Sequence, residues 1–348
     1  MRIKKFIRGT AQSRSRIVAQ FDSYVDTLVH KITSSDAPFS EEATCLLALP
    51  RRDGGVGIPR LSLIRDSAFH GCRDSLSHCV PENPEAGRSD QQSRTALVND
   101  RLKRQVDSIG ETECVHRKAC ALKHSSLPLS APHLKVTDRE FSAALRWRVG
   151  LPVPGTESWH FCPGCNHRFT RNRELQEHLP SCPLISGQNA TTTHHGVNHA
   201  CQKISRLSLI EFWNEPRYRE YVPKAEQQEH EQGPDSTYFL HPRPLTVDVK
   251  GVGLANITHR SRSFRAVETQ RRLRATDLYA EHCANHHEDF SAVVFHYTGG
   301  LCPQFAALIK RLAAPAVHSG VLTKDDAFCQ VQSAIMVGVG RTLANMAR

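Results

Sequence analysis

Four side chains near the middle of the chain have the types and the spacing of a metal site. They are separated by two, twelve and three residues, and they are Cys162, Cys165, His178 and Cys182. Two cysteines at this spacing sit on a tight turn, and a histidine and a cysteine four positions apart share one helix face, so the four can be tetrahedral zinc ligands. With Phe169 and Leu175 as its core, the segment predicts a ββα zinc finger whose last histidine is a cysteine. A module this small buries too little apolar surface to fold alone, so this zinc would be structural.

A second set of reactive side chains lies in the C-terminal half. Asp235 follows a proline, and a later run places Asp248 and Lys250 at alternate positions between valines. Because side chains alternate along a strand, Asp248 and Lys250 point to the same face. With Asp235 beside them, two carboxylates can hold Mg²⁺ or Mn²⁺, and the metal lowers the pKa of a bound water that attacks a phosphodiester, with Lys250 orienting the water. Both motifs are common strings, so the pattern alone favours an ordinary edge strand with solvated ends.

Composition restricts the partners and the compartment. The 348 residues include 45 Lys and Arg against 35 Asp and Glu, a net charge of +10. This excess favours a polyanion, nucleic acid first and an anionic membrane surface second. No apolar run has the length of a membrane span, and no hydrophobic segment follows the basic N-terminal residues as in a signal peptide. We therefore expect an intracellular protein whose twelve cysteines are thiols and metal ligands rather than disulfides.

The N-terminal part is predicted to be mostly helical. Apolar residues at helical spacing from Arg16 onward predict a helix that packs in a core, and they are Phe21, Val25, Leu28 and Ile32. The glycines at 54, 55 and 57 lack the P-loop lysine and the GxGxxG spacing, so they predict a structural turn rather than a phosphate loop. The polar segment Pro81 to Arg94 predicts a linker or a mobile loop, and we expect residues 81–136 to be irregular.

A capped helix is expected to lead into the finger. Thr137 and Glu140 have the spacing of a capping box, and the run that follows predicts a helix ending at Gly150. Arg146 and Arg148 at its end are candidates for phosphate contact, although a solvated helix end is the more usual role.

The finger has few side chains suited to recognise a nucleic-acid sequence. Its helix positions that would face bases are Arg171, Glu174 and Glu177, and two acids among three make a poor phosphate binder. A structural role and nucleic-acid contact are therefore about equally favoured. The polar stretch after the finger predicts a loop that enters a helix, and it carries His194, His195, His199 and Cys201. It has no CxxC partner, so no second zinc site is predicted.

The C-terminal part alternates helices and strands. Residues 223–233 predict a polar linker, and a basic segment then predicts a helix from about Phe264 to His282. Its candidate nucleic-acid-binding residues are Arg262, Arg265, Arg271, Arg272 and Arg274, and Glu268 is predicted to pair with Arg272, with a third metal-binding acid as the alternative. A buried strand at residues 292–295, a glycine turn at 299–300, a helix after it and a packing helix near the C-terminus complete the order.

Several of these segments resemble one family. The stretches FDSYV and LPRRDGGVGI resemble the segment after the reverse transcriptase palm of non-LTR retrotransposon proteins. The stretch REFSAALRWRVGLPVPG resembles the helix that precedes the CCHC module of the same proteins. The strand LTVDV after Pro-Asp, and FSAVVFHYTGG later, resemble the restriction-like endonuclease domain of site-specific members.

The resemblance implies roles for particular residues. Asp235 and Asp248 would be the metal-binding acids. The family usually has Thr or Ser at the position of Lys250, and a Lys ahead of the tyrosine that corresponds to Tyr279, where this chain offers only arginines. Arginine cannot act as a general base, so either Lys250 has taken over the role or the site is impaired. The resemblance also implies that one histidine of the pair after the finger, His194 or His195, packs on or extends the zinc module.

These observations predict a multidomain α+β protein. The expected parts are a helical region at 1–80, a linker and irregular region at 81–136, a helix plus CCHC zinc finger at 137–202, a restriction-endonuclease-like domain at 203–314 and a C-terminal helix at 315–348. The expected function is that of the C-terminal part of a retrotransposon reverse transcriptase protein, which binds DNA and element RNA in the nucleus and nicks DNA to prime reverse transcription. It would act with an upstream polymerase region, since no catalytic polymerase motif is present. The alternative is a non-catalytic, zinc-dependent nucleic-acid-binding fragment.

Overall fold

The computed structural model describes residues 11–33, 38–58, 60–63, 84–122, 136–182, 184–214, 233–253 and 263–346. The described residues form helices and one four-stranded sheet, which confirms the mixed α+β class. They divide into two compact units, Met1–Arg117 with Val149–Leu151 and Lys118–Arg148 with Pro152–Arg348. The polar linker predicted at residues 223–233, apart from residue 233, and the candidate Arg262 lie outside the described residues. No helix in the described ranges is long and apolar enough to cross a membrane.

The first unit is helical. Its helices are α1 at Ala11–Thr33, α2 at Glu41–Ala48, α3 at Pro84–Ile109 and the start of α4 at Glu111–Cys120, with a 3₁₀ turn at Arg51–Asp53. The predicted first helix is confirmed, but its expected core face is not buried: Phe21 is 40% exposed and Leu28 is 57% exposed, whereas Val29 is buried. Helical periodicity identifies the apolar face, but it cannot identify a partner that covers this face.

The region that was expected to be irregular contains two helices. Residues of the predicted linker from Pro84 onward belong to α3, and α4 follows after Gly110. The prediction of an irregular region is therefore wrong for these residues. The physical reason is that Glu, Gln and Arg have high helix propensity, and a proline at the first helical position costs nothing because its missing N–H has no partner there.

The glycines of the first unit form a tight turn, as predicted. Gly54 has a positive φ of 97°, and a Cβ atom there would lie 2.2 Å from the carbonyl oxygen of Arg117. A Cβ atom at Gly55 would lie 2.0 Å from the carbonyl oxygen of Leu49. Only glycine permits these close backbone approaches, so the segment packs against protein as a structural turn.

The second unit begins with the helix that precedes the finger. Helix α5 spans Asp138–Arg148, and its capping box is confirmed. The Thr137 N–H donates to Glu140 Oε2 at 2.9 Å, and the Glu140 N–H donates to Thr137 Oγ1 at 3.2 Å. The next helices are α6 at Asn172–His178 and α7 at Ser186–Leu207, separated by a 3₁₀ turn at Leu179–Ser181.

The sheet of this unit has the order β1-β2-β3-β4. Its strands are Phe212–Asn214, Ser236–Tyr238, Leu245–Val252 and Asp289–His296. The first three strands pair antiparallel, and β3 pairs with β4 in parallel. Helix α8 at Phe264–Asn285 lies between β3 and β4 in the chain. Helix α9 at Pro303–His318 follows β4. The strand that carries Asp248, helix α8, strand β4 and helix α9 follow one another as predicted, and β1 and β2 precede them.

Strand β3 is not an edge strand with solvated ends. It lies between β2 and β4, and both α7 and α8 pack against it. Alternate residues are buried on both faces: Thr246 and Val247 are each 0% exposed, and Asp248 is 2% exposed. The alternating pattern predicted the strand, but the polar face is covered as well as the apolar one.

The last helix, α10 at Lys324–Met346, is the packing helix that was predicted. It is buried along most of its length and contacts α5, α7 and α9. Gly338 permits the approach to α7, because a Cβ atom there would lie 2.3 Å from Thr193 Oγ1. A Cβ atom at Gly340 would lie 2.4 Å from the carbonyl oxygen of Glu140 on α5. These glycines reduce helix propensity in exchange for close helix packing.

This packing predicts opposite effects for two glycine substitutions at one interface. Gly338→Ala should lower the free energy of unfolding by about 1 to 3 kcal/mol, because the added methyl group overlaps Thr193. Gly196→Ala on α7 should raise it by about 0.5 to 1 kcal/mol, because its Cβ atom would lie 3.7 Å from the nearest atom of α10 and alanine favours the helix. Denaturant unfolding of both variants measures the difference, and equal effects would contradict the packing described.

Candidate metal centres

The four predicted zinc ligands converge in the structure. Cys162 Sγ lies 3.5 Å from Cys182 Sγ, and Cys165 Sγ lies 3.3 Å from His178 Nε2. Ligands of a tetrahedral zinc ion are roughly 3.5 to 3.8 Å apart. Among the described residues, this is the one group of three or more Cys, His, Asp or Glu side chains whose ligand atoms all lie within 4.8 Å of one another. The four side chains could hold a metal ion, and their arrangement is compatible with a structural zinc.

A tight turn positions the first two ligands. The Cys162 N–H donates to the His167 carbonyl at 3.0 Å, and the Asn166 N–H donates to the Cys162 carbonyl at 2.9 Å. Asn166 adopts a left-handed conformation with φ of 54°. The predicted core residues of the module are both buried, with Phe169 3% exposed and Leu175 0% exposed. Chain spacing therefore identified both the ligands and the small core.

The last ligand is placed differently from the prediction. Helix α6 ends at His178, and Cys182 follows the 3₁₀ turn in an extended conformation. His178 and Cys182 therefore do not share one α-helix face. The physical reason is Pro180, which has no N–H to continue the α-helical hydrogen bonds. The tighter 3₁₀ turn still returns the Cys182 thiol to the cluster.

The protonation state of the module depends on whether a cation is bound. Burial raises the pKa of the Cys162 thiol to about 12 when no cation lies beside it. Burial lowers the pKa of His178, which keeps its imidazole in the neutral form that binds metals. Thiolates at this site therefore need a positive ion, which zinc would supply.

The finger helix is not free to enter a DNA groove. Glu177, a predicted base-facing position, is 5% exposed and lies 3.3 Å from the guanidinium of Arg173. Arg173 is buried as well and donates to the Trp147 carbonyl of α5 at 3.0 Å. Glu174 accepts a hydrogen bond from Thr170 at 3.0 Å, and Arg171 remains exposed. The end of this face at Glu177 packs inside the unit, which favours the structural role for the module.

Both arginines at the end of α5 are buried, so neither contacts a phosphate nor forms a solvated helix end. Arg148 is 1% exposed and donates to the carbonyls of Thr298 at 3.0 Å and Cys120 at 3.1 Å. Arg146 donates to the Pro152 carbonyl at 2.5 Å. Both predictions for these residues are wrong, because backbone carbonyls of neighbouring segments replace water and phosphate as acceptors.

The second predicted site also comes together. The Asp235 N–H donates to the Val247 carbonyl at 2.9 Å, and Asp235 Oδ2 accepts from the Val249 N–H at 2.5 Å. These bonds place Asp235 beside the centre of β3. Lys250 Nζ lies 2.9 Å from Asp248 Oδ1, so both side chains share a face as the alternation predicts. Asp235, Asp248 and Lys250 therefore lie around one segment of β3, and we call this group the acid cluster.

One member of this cluster was missed from the sequence. His194 on α7 places Nε2 at 3.0 Å from Asp235 Oδ1 and 3.1 Å from the Val249 carbonyl oxygen. The expectation that this stretch forms a loop is wrong, because it belongs to helix α7. Neither His194 nor His195 is among the grouped thiol-cluster ligands, so the expectation that one of them extends this ligand set is wrong for the described residues. The buried residues Val197, Cys201 and Ile204 have helical spacing and could have predicted the helix, but not which strand it covers.

The electrostatics of the acid cluster are unusual. Burial raises the pKa of Asp248 to about 6, with a further rise from Asp235, while Lys250 and His194 oppose the shift. Asp248 Oδ2 is buried and has no hydrogen-bond partner among the described residues. Burial disfavours protonated His194, but the hydrogen bond and charge of Asp235 outweigh it and raise the pKa of the imidazole.

Helix α8 carries the predicted basic surface. Arg265, Arg271 and Arg274 are exposed on it. Arg272 lies 3.6 Å from Glu268, which confirms that pairing.

None of the cysteines that the structure describes forms a disulfide, as expected for thiols.

No family model and no curated protein matches this chain, so the function is argued from the two sites described above.

The thiol cluster predicts the metal content of the protein. We expect about one zinc per chain by elemental analysis, and Cys162→Ser should remove it and cause unfolding at lower temperature, because the module depends on the ion for its stability. Cys329→Ser is the matched control, since it removes a thiol outside the cluster and should keep the zinc. Zinc content that is unchanged in Cys162→Ser would show that the cluster does not hold the ion.

The buried carboxylate predicts a pH-dependent effect on stability. The folded state raises the pKa of Asp248 from 3.8 to about 6, so the carboxylate destabilises the fold increasingly as pH rises through this range. The full shift corresponds to about 3 kcal/mol. In zinc-loaded protein without other divalent cations, Asp248→Asn should raise the free energy of unfolding, and its advantage over wild type should grow from pH 5 to pH 7. An advantage that is constant or falls with pH would contradict the shift.

Proposed function

We propose that this protein binds nucleic acid and nicks DNA in a reaction that depends on a divalent cation. The observation that carries the proposal is the cluster of buried Asp235 and Asp248 with half-exposed Lys250 around the central strand β3. Buried acids in a sheet are costly unless they have a use or a counter-ion. The order of one helix, three antiparallel strands, a crossover helix and a parallel strand supports a restriction-endonuclease-like fold.

The side chains of the cluster fit a divalent cation. Asp235 and Asp248 offer carboxylate oxygens, and the Val249 carbonyl oxygen lies near the same His194 nitrogen as Asp235 Oδ1. Asp248 Oδ2 is a buried acceptor that lacks a hydrogen-bond donor among the described residues, as expected of an atom that ligates an ion. Asp235, Asp248 and His194 are spread more widely than the thiol cluster, so Asp248 would turn from Lys250 on binding. A bound Mg²⁺ or Mn²⁺ would supply positive charge against the attacked phosphate and lower the pKa of the attacking water.

Lys250 has the position and exposure of a group that acts on substrate. Its side chain is 43% exposed while its amine lies 2.9 Å from buried Asp248. The ammonium group can therefore reach the scissile phosphate, donate to it and orient the attacking water. Non-LTR retrotransposon proteins carry a lysine ahead of the tyrosine that corresponds to Tyr279. The position of Lys250 supports the interpretation that it replaces this lysine.

The basic surface of α8 supports binding of the phosphate backbone. Three of the predicted arginines, Arg265, Arg271 and Arg274, are exposed on a helix that packs on β3 and β4. The chain has a net charge of +10, which favours association with a polyanion. Since the finger helix is packed inside the unit, α8 is the better candidate for holding DNA near the acid cluster.

The resemblance to non-LTR retrotransposon proteins suggests a biological role for the proposed nuclease. In this role the chain is the C-terminal part of a reverse transcriptase protein that acts in the nucleus. The nick primes DNA synthesis on element RNA by an upstream polymerase region. The support is the order of segments: the capped α5, the CCHC module with a structural zinc, and the strand that carries Asp248.

A second function is a non-catalytic binding module. The observation that favours it is the segment before Tyr279, which has arginines where the resembling family has its lysine. In this case the zinc module and α8 still bind nucleic acid, and the acid cluster has lost its activity. Binding would then weaken steeply as salt increases, since phosphate contacts release counterions.

A plasmid assay separates the two functions. Zinc-loaded protein with supercoiled plasmid and Mg²⁺ or Mn²⁺ should yield nicked circles, and Asp248→Ala should reduce the nicking rate by about 100-fold or more because it removes a metal ligand. Lys250→Ala should also impair nicking if it has replaced the missing lysine. Asp325→Ala, which removes an exposed acid at the start of α10, is the control and should keep full activity.

The outcomes are distinct. Nicking that survives Asp248→Ala would contradict the proposed site and indicate a contaminating nuclease. Salt-sensitive plasmid binding without nicking would favour the binding module. In either case, Arg271→Ala with Arg274→Ala should weaken binding and reduce its dependence on salt concentration, since each arginine neutralises phosphate charge.

A further inference from the structure

The imidazole of His194 faces two oxygens at nearly equal distances. Its Nε2 atom lies 3.0 Å from Asp235 Oδ1 and 3.1 Å from the Val249 carbonyl oxygen. A single N–H group can donate well to one acceptor, and sharing it between two weakens both bonds. Two oxygens close to one nitrogen are, however, the arrangement expected when all three atoms bind one metal ion.

The distances agree with an octahedral site. Neighbouring ligands of a six-coordinate ion with bonds of 2.0 to 2.2 Å are roughly 3.0 Å apart. The separations from Nε2 to Asp235 Oδ1 and to the Val249 carbonyl have this value. The ion would lie to one side of these three atoms. The imidazole ring of His194 would therefore rotate toward the ion and keep its present position beside Asp235. The unpartnered Oδ2 of Asp248, which is 2% exposed, is an independent sign of a missing positive neighbour.

The position of His194 is fixed by the helix that carries it. Thr193 is 2% exposed and packs against Gly338 of α10, and Val197 one turn later is 0% exposed. Helix α7 also packs on β3 itself. The neighbouring His195 is exposed, with its ring centroid 5.9 Å from that of His194. The packing therefore presents one imidazole of the pair to the acid cluster and leaves the other outside it.

We propose that His194 Nε2 is a direct ligand of the divalent cation, together with Asp235 and the Val249 carbonyl, and that it makes the site prefer Mn²⁺ to Mg²⁺. The inference rests on the proposed function, since it concerns the cation of the same site. Mg²⁺ binds oxygen ligands and water, whereas imidazole suits the later divalent metals better. A nitrogen ligand among oxygens therefore shifts the preference toward Mn²⁺.

Electron spin echo spectroscopy of Mn²⁺ bound to zinc-loaded protein tests this directly. A coordinated imidazole gives a ¹⁴N coupling to the Mn²⁺ spin, and saturating the thiol cluster with zinc prevents a signal from His178. We expect the coupling in wild type and in His195→Ala, and its loss in His194→Ala. Mn²⁺ affinity, measured by titration, should fall by about 10-fold or more in His194→Ala, while Mg²⁺ affinity from competition changes by less than about 3-fold.

His194→Gln separates a ligand from a positioning residue. The glutamine amide can donate a hydrogen bond to Asp235, but its nitrogen cannot coordinate a metal. If His194 only positions Asp235, this variant should keep the Mn²⁺ affinity and the preference over Mg²⁺, which would overturn the proposal. If His194 is a ligand, the variant should lose the ¹⁴N coupling and the preference.

Wild-type protein alone also decides the question, so the test does not depend on the folding of a variant. Mn²⁺ bound without ¹⁴N coupling, or no Mn²⁺ bound beside the zinc, would overturn the inference even if the protein nicks plasmid. Coupling that persists in a folded His194→Ala variant would overturn it as well. Coupling without nicking would support ligation by His194 and contradict the nuclease function, so the two failures are distinguishable.

Discussion

A carboxylate that is 2% exposed on the central strand of the sheet sets the main constraint on the second unit. Removing such a charge from water is unfavourable unless other charges or donors replace the water. Lys250 supplies one partner for Asp248, and the remaining oxygen lacks a hydrogen bond among the described residues. The hydrogen bond from the Val249 N–H to Asp235 adds a second acid to the same region. This arrangement is unfavourable without a counter-charge, and the proposed cation would supply one.

The rest of the unit holds this arrangement in place. Three arginines that could have served DNA binding are buried and donate to backbone carbonyls instead: Arg146 and Arg148 at the end of α5, and Arg173 in the finger helix. A buried guanidinium with several acceptors fixes the segments around it. A structural role therefore fits the zinc module better than recognition of a nucleic-acid sequence. The proposed contact with nucleic acid is best supported by the exposed arginines of α8, which packs on β3 and β4.

Local patterns predicted much of this structure, and tertiary contacts account for the errors. The capping box at Thr137, the ligand spacing from Cys162 and the alternation around Asp248 each involve groups only a few residues apart, so the chain alone specifies them. Burial of Arg148 depends on carbonyls 28 and 150 residues away, which no local pattern contains. His194 was missed for the same reason, since its partners lie far along the chain, on β3 and just before β2. Helical periodicity in α1 predicted an apolar face but not its exposure.

The central claim is that Asp235 and Asp248 hold a divalent cation that is distinct from the zinc of the thiol cluster. Anomalous diffraction from crystals of zinc-loaded protein grown with Mn²⁺ tests it most directly, because data at the two absorption edges separate the metals. The account predicts a zinc peak among Cys162, Cys165, His178 and Cys182, and a manganese peak about 2.2 Å from oxygens of both aspartates. A zinc peak in the thiol cluster with no manganese at Asp235 and Asp248 would contradict it.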